Sequence, residues 1–168
     1  FDLRHINVYD GAAVPEDLGN GMSFDGSEIA HAPHGAHLAT LTSTLSIETW
    51  VNFASTDDMT IVSKARADNL DSGVSLSVDQ RGRPVFQMHV GGRSRVVRGP
   101  PLVVLGKWHH IAATYSNGIM RLYFDGLPAN QRKVSGTVNI GNHPLVLGGK
   151  ISQGVAEPSF EGSMADLI

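Results

Sequence analysis

The strongest constraint on the fold is a two-residue alternation of apolar and polar side chains that recurs along the chain in short runs. Successive side chains of a β-strand point to opposite faces, so each run predicts a strand with one buried face. The runs are LSIETWVNF (45–53), GVSLSVD (73–79), PVFQMHV (84–90), WHHIAATY (108–115) and IMRLYF (119–124). No window longer than about eight residues keeps the 3.6-residue apolar period of a helix. The pattern therefore predicts an all-β protein.

Tight turns separate several of these runs. Asn117-Gly118 lies between two apolar runs, and Asp125-Gly126 follows the second of them. Both dipeptides favour type I′ hairpin turns, because both central residues of that turn need positive φ. Many short antiparallel strands in a chain of 168 residues indicate a two-sheet β-sandwich of the jelly-roll type, with residues 1–168 forming one domain.

Composition excludes several classes of function. The net charge is −3, from 13 basic and 16 acidic residues, so there is no electrostatic reason to expect nucleic acid or an anionic membrane as partner. Arg93, Arg95 and Arg98 lie close together without interleaved aromatics, which predicts a solvated strand edge. The chain has no cysteine, so disulfides and thiolate metal sites are ruled out.

Three histidines lie at a spacing of three in HAPHGAH: His31, His34 and His37. A zinc ion needs each ring nitrogen at about 2.0–2.1 Å. Pro33 disfavours helix before it and Gly35 favours a turn, and without a helix this spacing does not stack the rings. The stretch is therefore expected to be a solvated loop between strands, with zinc binding as the alternative.

Six segments together resemble a known family. The segment GKWHHIAATYSNGIMRLYFDG (106–126) is similar to the signature hairpin of laminin-G-like jelly-roll modules, within the concanavalin A-like lectin/glucanase superfamily. Five other segments occur in the family's order: MSFDGSEIAHAP, LSIETWVNF, IVSKA to GVSLSVDQRGRPVFQM, PLVLGGK and FEGSMADL. The resemblance covers about residues 22–168 and implies the sandwich fold. It does not specify a ligand.

The resemblance also implies one structural Ca²⁺ at the rim of the sandwich. The matching positions are Asp25, Gly26 and Glu28 near the start and Asp166 near the end. Oxygen donors of this kind suit Ca²⁺, which takes six to eight of them. The alternative is that Asp25-Gly26 is a simple turn and Asp166 a solvated strand residue.

No catalytic residues are predicted. The glucanase branch of the superfamily carries E-x-D-x-E on one strand, and Glu48 instead lies between Ser46 and Trp50 without acidic neighbours. A glycoside hydrolase is therefore only a remote alternative. Trp50 and Trp108 are expected in the core, and His110 is expected to be a hydrogen-bonded core histidine.

We expect a non-catalytic binding module that recognises carbohydrate or an extracellular protein partner, in an extracellular or periplasmic location. The alternative is a structural domain that packs against a catalytic domain or subunit of a larger enzyme. Phe1 and the closing MADLI suggest a segment of a longer multidomain protein. The aromatic candidates for a sugar platform are Phe53, Phe86, Tyr115 and Tyr123, although alternation places most of them in the core. Ligand-binding residues are not assigned by sequence.

Overall fold

The computed structural model describes residues 21–34, 43–65 and 72–168. These residues form fourteen β-strands and no helix. The described part of the chain therefore contains no helix long and apolar enough to cross a membrane. The strands are β1 (Met22–Asp25), β2 (Ala30–Ala32), β3 (Thr44–Phe53), β4 (Met59–Ala65), β5 (Gly73–Val78), β6 (Pro84–Val90), β7 (Arg93–Arg98), β8 (Trp108–Ser116), β9 (Ile119–Phe124), β10 (Leu127–Lys133), β11 (Leu145–Leu147), β12 (Gly149–Ser152), β13 (Val155–Pro158) and β14 (Glu161–Ala165).

The strands form two six-stranded sheets and one small hairpin. Sheet A has the order β1-β14-β3-β8-β9-β10, and sheet B the order β2-β11-β4-β5-β6-β7. Every pairing within the sheets is antiparallel, and β12 pairs with β13 as a separate hairpin. The predicted antiparallel β-sandwich is confirmed.

The core lies between the sheets, and β3 and β9 contribute alternate side chains to it. Ile111 and Leu122 of sheet A and Leu76 and Phe86 of sheet B are all fully buried. Phe160, which precedes β14, is also 0% exposed, and its ring contacts Phe24 at 5.8 Å and Phe53 at 5.6 Å between centroids. Residues from the start, middle and end of the described chain therefore meet in one aromatic cluster.

Both predicted hairpin turns are present. Asn117 and Gly118 have φ values of 50° and 72°, and Asp125 and Gly126 have φ values of 49° and 76°. Positive φ at both central residues is the type I′ geometry, which matches the right-handed twist of the strands. These turns place β8, β9 and β10 side by side in sheet A.

The open edge of sheet B is covered by side chains from sheet A. β7 is the last strand of sheet B, as the arginine-rich sequence predicts. The Asn130 amide on β10 donates to the Arg98 carbonyl at 2.7 Å, and the Arg132 guanidinium donates to the Val96 carbonyl at 3.1 Å. Unpaired edge carbonyls are thereby satisfied, which limits pairing with another chain.

A buried lysine joins β4 to the segment that follows β10. Lys64 is 2% exposed, and its Nζ donates to the carbonyls of Gly141 and His143, each at 2.9 Å. Burial lowers the pKa of Lys64 from its ordinary value. The two carbonyls satisfy part of the ammonium's hydrogen-bonding need, and they hold this segment against sheet B.

We predict that Phe160→Ala lowers the free energy of unfolding by about 3–5 kcal/mol, because it leaves a cavity beside two aromatic rings. Leu127→Ala is the matched control: Leu127 is 66% exposed, so the change should stay within about 0.5 kcal/mol. Urea denaturation followed by tryptophan fluorescence measures both. Equal midpoints for Phe160→Ala and wild type would contradict the prediction.

Candidate functional site

An aromatic and polar surface lies on the outer face of sheet A. Trp50 of β3 is directly opposite His110 of β8, and their rings contact at 5.3 Å between centroids with a 56° tilt. Two residues further along each strand, on the same face, Glu48 is opposite Ala112. Ala112 is in turn opposite Tyr123 of β9. We call these five residues the platform. Its floor is the small side chain of Ala112, and larger side chains stand around it.

The predicted core positions of Trp50, Trp108 and His110 are wrong. All three lie on the outer face of sheet A and are partly exposed. The predicted alternation of β8 is correct. The side that carries His109, Ile111 and Ala113 faces the core, however, and His109 is 6% exposed. The two-residue period separates the faces of a strand without saying which one is buried.

His109 can be buried because both of its ring nitrogens have partners. Nε2 accepts from the Val104 N–H at 3.0 Å, which leaves the Nδ1 proton to be donated to the Asp125 carboxylate at 2.9 Å. Asp125 also accepts from the His110 N–H at 2.9 Å. The ring packs on Phe124 at 4.7 Å between centroids.

Glu48 and His110 lie within reach of each other on the platform. The Glu48 carboxylate lies 3.9 Å from Nε2 of His110. Burial lowers the pKa of His110, and the charges of Glu48 and Asp125 act in the opposite direction without overcoming it. The imidazole therefore favours its neutral form, in which one nitrogen donates and the other accepts.

Of the four aromatics considered for a sugar platform, three are in the core. Phe53 and Phe86 are 0% exposed and Tyr115 is 6% exposed. Tyr123 alone of the four lies on the outer face, where it is partly exposed. The sequence signal that was missed is the polar side of LSIETWVNF, on which Trp50 lies between Glu48 and Asn52.

The platform offers stacking surfaces and hydrogen bonds but no pair of carboxyls for glycoside hydrolysis. Glu48 is the single carboxylate among its five residues. Two other carboxylates lie nearby: Asp125 accepts from the His109 ring and the His110 N–H, and Asp166 follows Ala165, which is opposite Trp50. Glycosidases use two carboxyls about 5–9.5 Å apart that flank the scissile bond.

The four residues predicted to hold calcium are not brought to one point. Asp25 ends β1, where its carboxylate accepts from the Ser27 N–H at 2.9 Å and the Ser27 hydroxyl at 2.6 Å. These hydrogen bonds lower the pKa of Asp25. Asp25 is opposite Glu161, at the start of β14, whereas Asp166 follows the other end of that strand. Gly26 and Glu28 follow Asp25 in the chain.

The described residues therefore contain no group of three or more acidic or histidine side chains that could hold a metal ion. The residues present do not fit a single calcium site, and calcium binding stays a prediction of the resemblance.

The histidine-rich stretch is partly a strand rather than a loop. His31 lies in β2, opposite Val146 of β11, and is exposed. The Nδ1 atom of His34 is buried without a hydrogen-bond partner among the described residues. His37 lies outside the described residues, so the spacing of the three rings is not tested.

We predict that Glu48→Gln lowers the pKa of His110 further, because the variant removes a negative charge that favours the imidazolium form. Proton NMR titration of the His110 ring measures the change. Thr114→Ala, on the same face of β8, is the control and should leave the titration midpoint unchanged. An unchanged or higher midpoint in Glu48→Gln would contradict the assigned role of the carboxylate.

Solved structures share this architecture. Domains LG4-5 of the mouse laminin α1 chain are 22% identical with a TM-score of 0.71; the match covers 88% of this chain and 40% of that one. The CBM40 of the Ruminococcus gnavus IT-sialidase, bound to α2,3-sialyllactose, is 15% identical with a TM-score of 0.71, over 89% of this chain and 91% of that one. A leech intramolecular trans-sialidase complexed with 2,7-anhydro-Neu5Ac is 16% identical with a TM-score of 0.69, over 89% of this chain and 25% of that one.

The chain thus spans less than half of the laminin chain and a quarter of the trans-sialidase chain. A sequence search of curated proteins found no match. A family model described as the Concanavalin A-like lectin/glucanases superfamily, of laminin-G type, matches residues 24–167. This match covers most of the chain, in agreement with the two-sheet sandwich and the ordered motifs. The chain belongs to the laminin-G-type family of the concanavalin A-like lectin/glucanase superfamily.

Proposed function

We propose that the protein is a non-catalytic module that binds carbohydrate on the platform of sheet A. The observation that carries the proposal is the Trp50–His110 ring pair beside Tyr123, partly exposed around the small floor of Ala112. Aromatic rings pack against the apolar face of a sugar ring, while its hydroxyls need hydrogen-bonding groups around it. Glu48 and His110 supply both acceptors and donors within the platform.

Additional hydrogen-bonding groups surround the platform. Asn52 and Thr114 are partly exposed and extend from the same face of β3 and β8, and Arg121 stands opposite Thr114 on β9. An amide, a hydroxyl and a guanidinium would let the platform distinguish sugars by the positions of their substituents. The solved carbohydrate-binding neighbour supports this class of ligand, because its structure holds α2,3-sialyllactose.

A second candidate is a structural domain that packs against another domain of the same polypeptide. It is favoured by an apolar rim, at which Leu102, Val104, Leu105 and Leu127 are between 37% and 66% exposed. Pro100 and Pro101 lie in the same loop, as expected for a contact segment. The other loop considered for such a contact, SKARADNLDSG, lies partly outside the described residues. The leech trans-sialidase, a much longer chain, supports the idea of a parent enzyme.

Location and extent follow from the same proposal. A module that binds glycans or an extracellular partner belongs outside the cell or in the periplasm. We propose that residues 1–168 form one domain of a longer protein there.

We predict that Trp50→Ala abolishes specific binding on a glycan array on which the wild type gives hits, because the variant removes the larger stacking surface of the platform. Leu127→Ala, on the apolar rim, is the control and should keep the wild-type pattern. A wild type that binds no glycan would contradict the proposal and favour the structural alternative. Unchanged hits in Trp50→Ala would place the binding elsewhere.

The calcium prediction has its own test. If Ca²⁺ is bound structurally, a chelator should lower the melting temperature, because a ligand of the native state stabilises it by mass action. Differential scanning calorimetry with added Ca²⁺ and with chelator measures this. Equal melting temperatures under both conditions would contradict the prediction of a structural Ca²⁺.

A further inference from the structure

Charge is divided unevenly along the chain. Residues 80–156 contain ten basic residues and one acidic residue, Asp125, whereas the rest of the chain contains three basic and fifteen acidic residues. The two parts therefore carry formal charges of +9 and −12, which add to the net charge of −3. The count covers all 168 residues. Such an asymmetry produces separate charged surfaces wherever the fold keeps the two parts apart.

The sandwich places much of these two parts at opposite lateral edges. Sheet A begins with β1 and β14 and ends with β9 and β10, and sheet B begins with β2 and ends with β6 and β7. The four strands at the ends belong to residues 80–156, and β1, β2 and β14 do not. Six strands at a spacing of about 4.8 Å separate the two edges of a sheet by about 24 Å. This distance is about three Debye lengths at physiological ionic strength, so the edges act as independent charged surfaces.

We call the surface formed by β7 and β10 the basic edge. Four of its charged side chains are exposed and a fifth is partly exposed: Arg93, Arg95, Arg98, Arg132 and Lys133. The strands next to it, β6 and β9, contain no acidic residue. None of the five side chains forms an ion pair with a described residue. Their like charges repel one another, and an anionic partner would relieve that repulsion.

We call the opposite surface, from β1 to β2 together with the β12–β13 hairpin, the acidic edge. The hairpin belongs to it because a Cβ on Gly149 would stand 2.8 Å from the side chain of Ile29, which precedes β2. Lys150 is its one cation among the described residues and pairs with Glu157 at 3.6 Å. The exposed carboxylates of this edge are Asp25, Glu28, Glu157 and Glu161.

Each edge also exposes a large apolar side chain. Leu127, at the start of β10, is 66% exposed, and Val155, at the start of β13, is 64% exposed. Ion pairs between exposed side chains contribute little individually. Burial of apolar side chains within the same contact adds a hydrophobic contribution that the charges alone lack.

We propose that the basic edge of one copy of this chain binds the acidic edge of a second copy, side by side. Charge complementarity identifies the occupant, because the chain itself carries an acidic and partly apolar surface of the kind that the basic edge fits. The contact is made by side chains rather than by strand pairing, since Asn130 and Arg132 already bond carbonyls of β7. The outer face of sheet A stays free, so the inference does not depend on what the platform binds.

The proposed contact is heterologous, because each copy contributes a different surface to it. A copy in a dimer therefore keeps one free edge of each sign, and association continues to a closed ring or an open chain of copies.

Sedimentation velocity of the full chain at several concentrations tests the proposal. We expect association at about 20 mM NaCl, and an association constant about tenfold lower or less at about 300 mM NaCl, because salt screens contacts between exposed charges. The mass should exceed that of a dimer at the highest concentrations. A chain that stays monomeric at low salt, or that associates equally at both salt concentrations, would overturn the proposal.

Charge reversal separates the two edges. The double variant Arg98→Glu/Lys133→Glu retains only the acidic edge, and Glu28→Lys/Glu161→Lys retains only the basic edge, so each alone should be monomeric. Their equimolar mixture should form a one-to-one dimer and stop there, because only one pair of unaltered edges remains. All four side chains are exposed, and thermal melts followed by circular dichroism verify that the variants are folded.

Asp57→Lys is the matched control. Asp57 is exposed in the loop between β3 and β4, away from both edges, so its reversal should leave the salt-dependent association of the wild type in place. Folded double variants that associate alone as the wild type does, or whose mixture stays monomeric, would overturn the proposed contact.

Discussion

The hydrogen bonds of His109 allow the side of β8 that carries Ile111 and Ala113 to face the core. With Nε2 accepting from Val104 and Nδ1 donating to Asp125, an imidazole can be buried against Phe124 without an unsatisfied nitrogen. The opposite side of the strand, with Trp108, His110 and Thr114, is consequently directed outward. Because β3 and β9 pair with β8 in register, their faces follow, and Trp50 and Tyr123 come to stand beside His110.

The two outer faces that result differ in chemistry. Sheet A carries large rings around a small floor, whereas the outer positions of β5, β6 and β7 include small or neutral polar side chains such as Ser75, Gln87 and Ser94. The first arrangement offers ring surfaces for stacking and the second does not. Each face is held from behind by a core in which Phe160 joins Phe24 to Phe53.

Strands and turns were predictable because their signals are local. The alternation of 45–53 and the positive φ demanded by Asn117-Gly118 need no knowledge of the rest of the chain. The buried face of β8 was not predictable from either signal, because both sides of the strand carry amphipathic residues. Trp108 and His110 lie on one side and His109 on the other. His109 became the core residue through Val104, which belongs to a loop five residues earlier. In the same way, the backbone of Asn139 is hydrogen-bonded to Gly73 and His89 from a distant segment, and no local pattern predicts this contact.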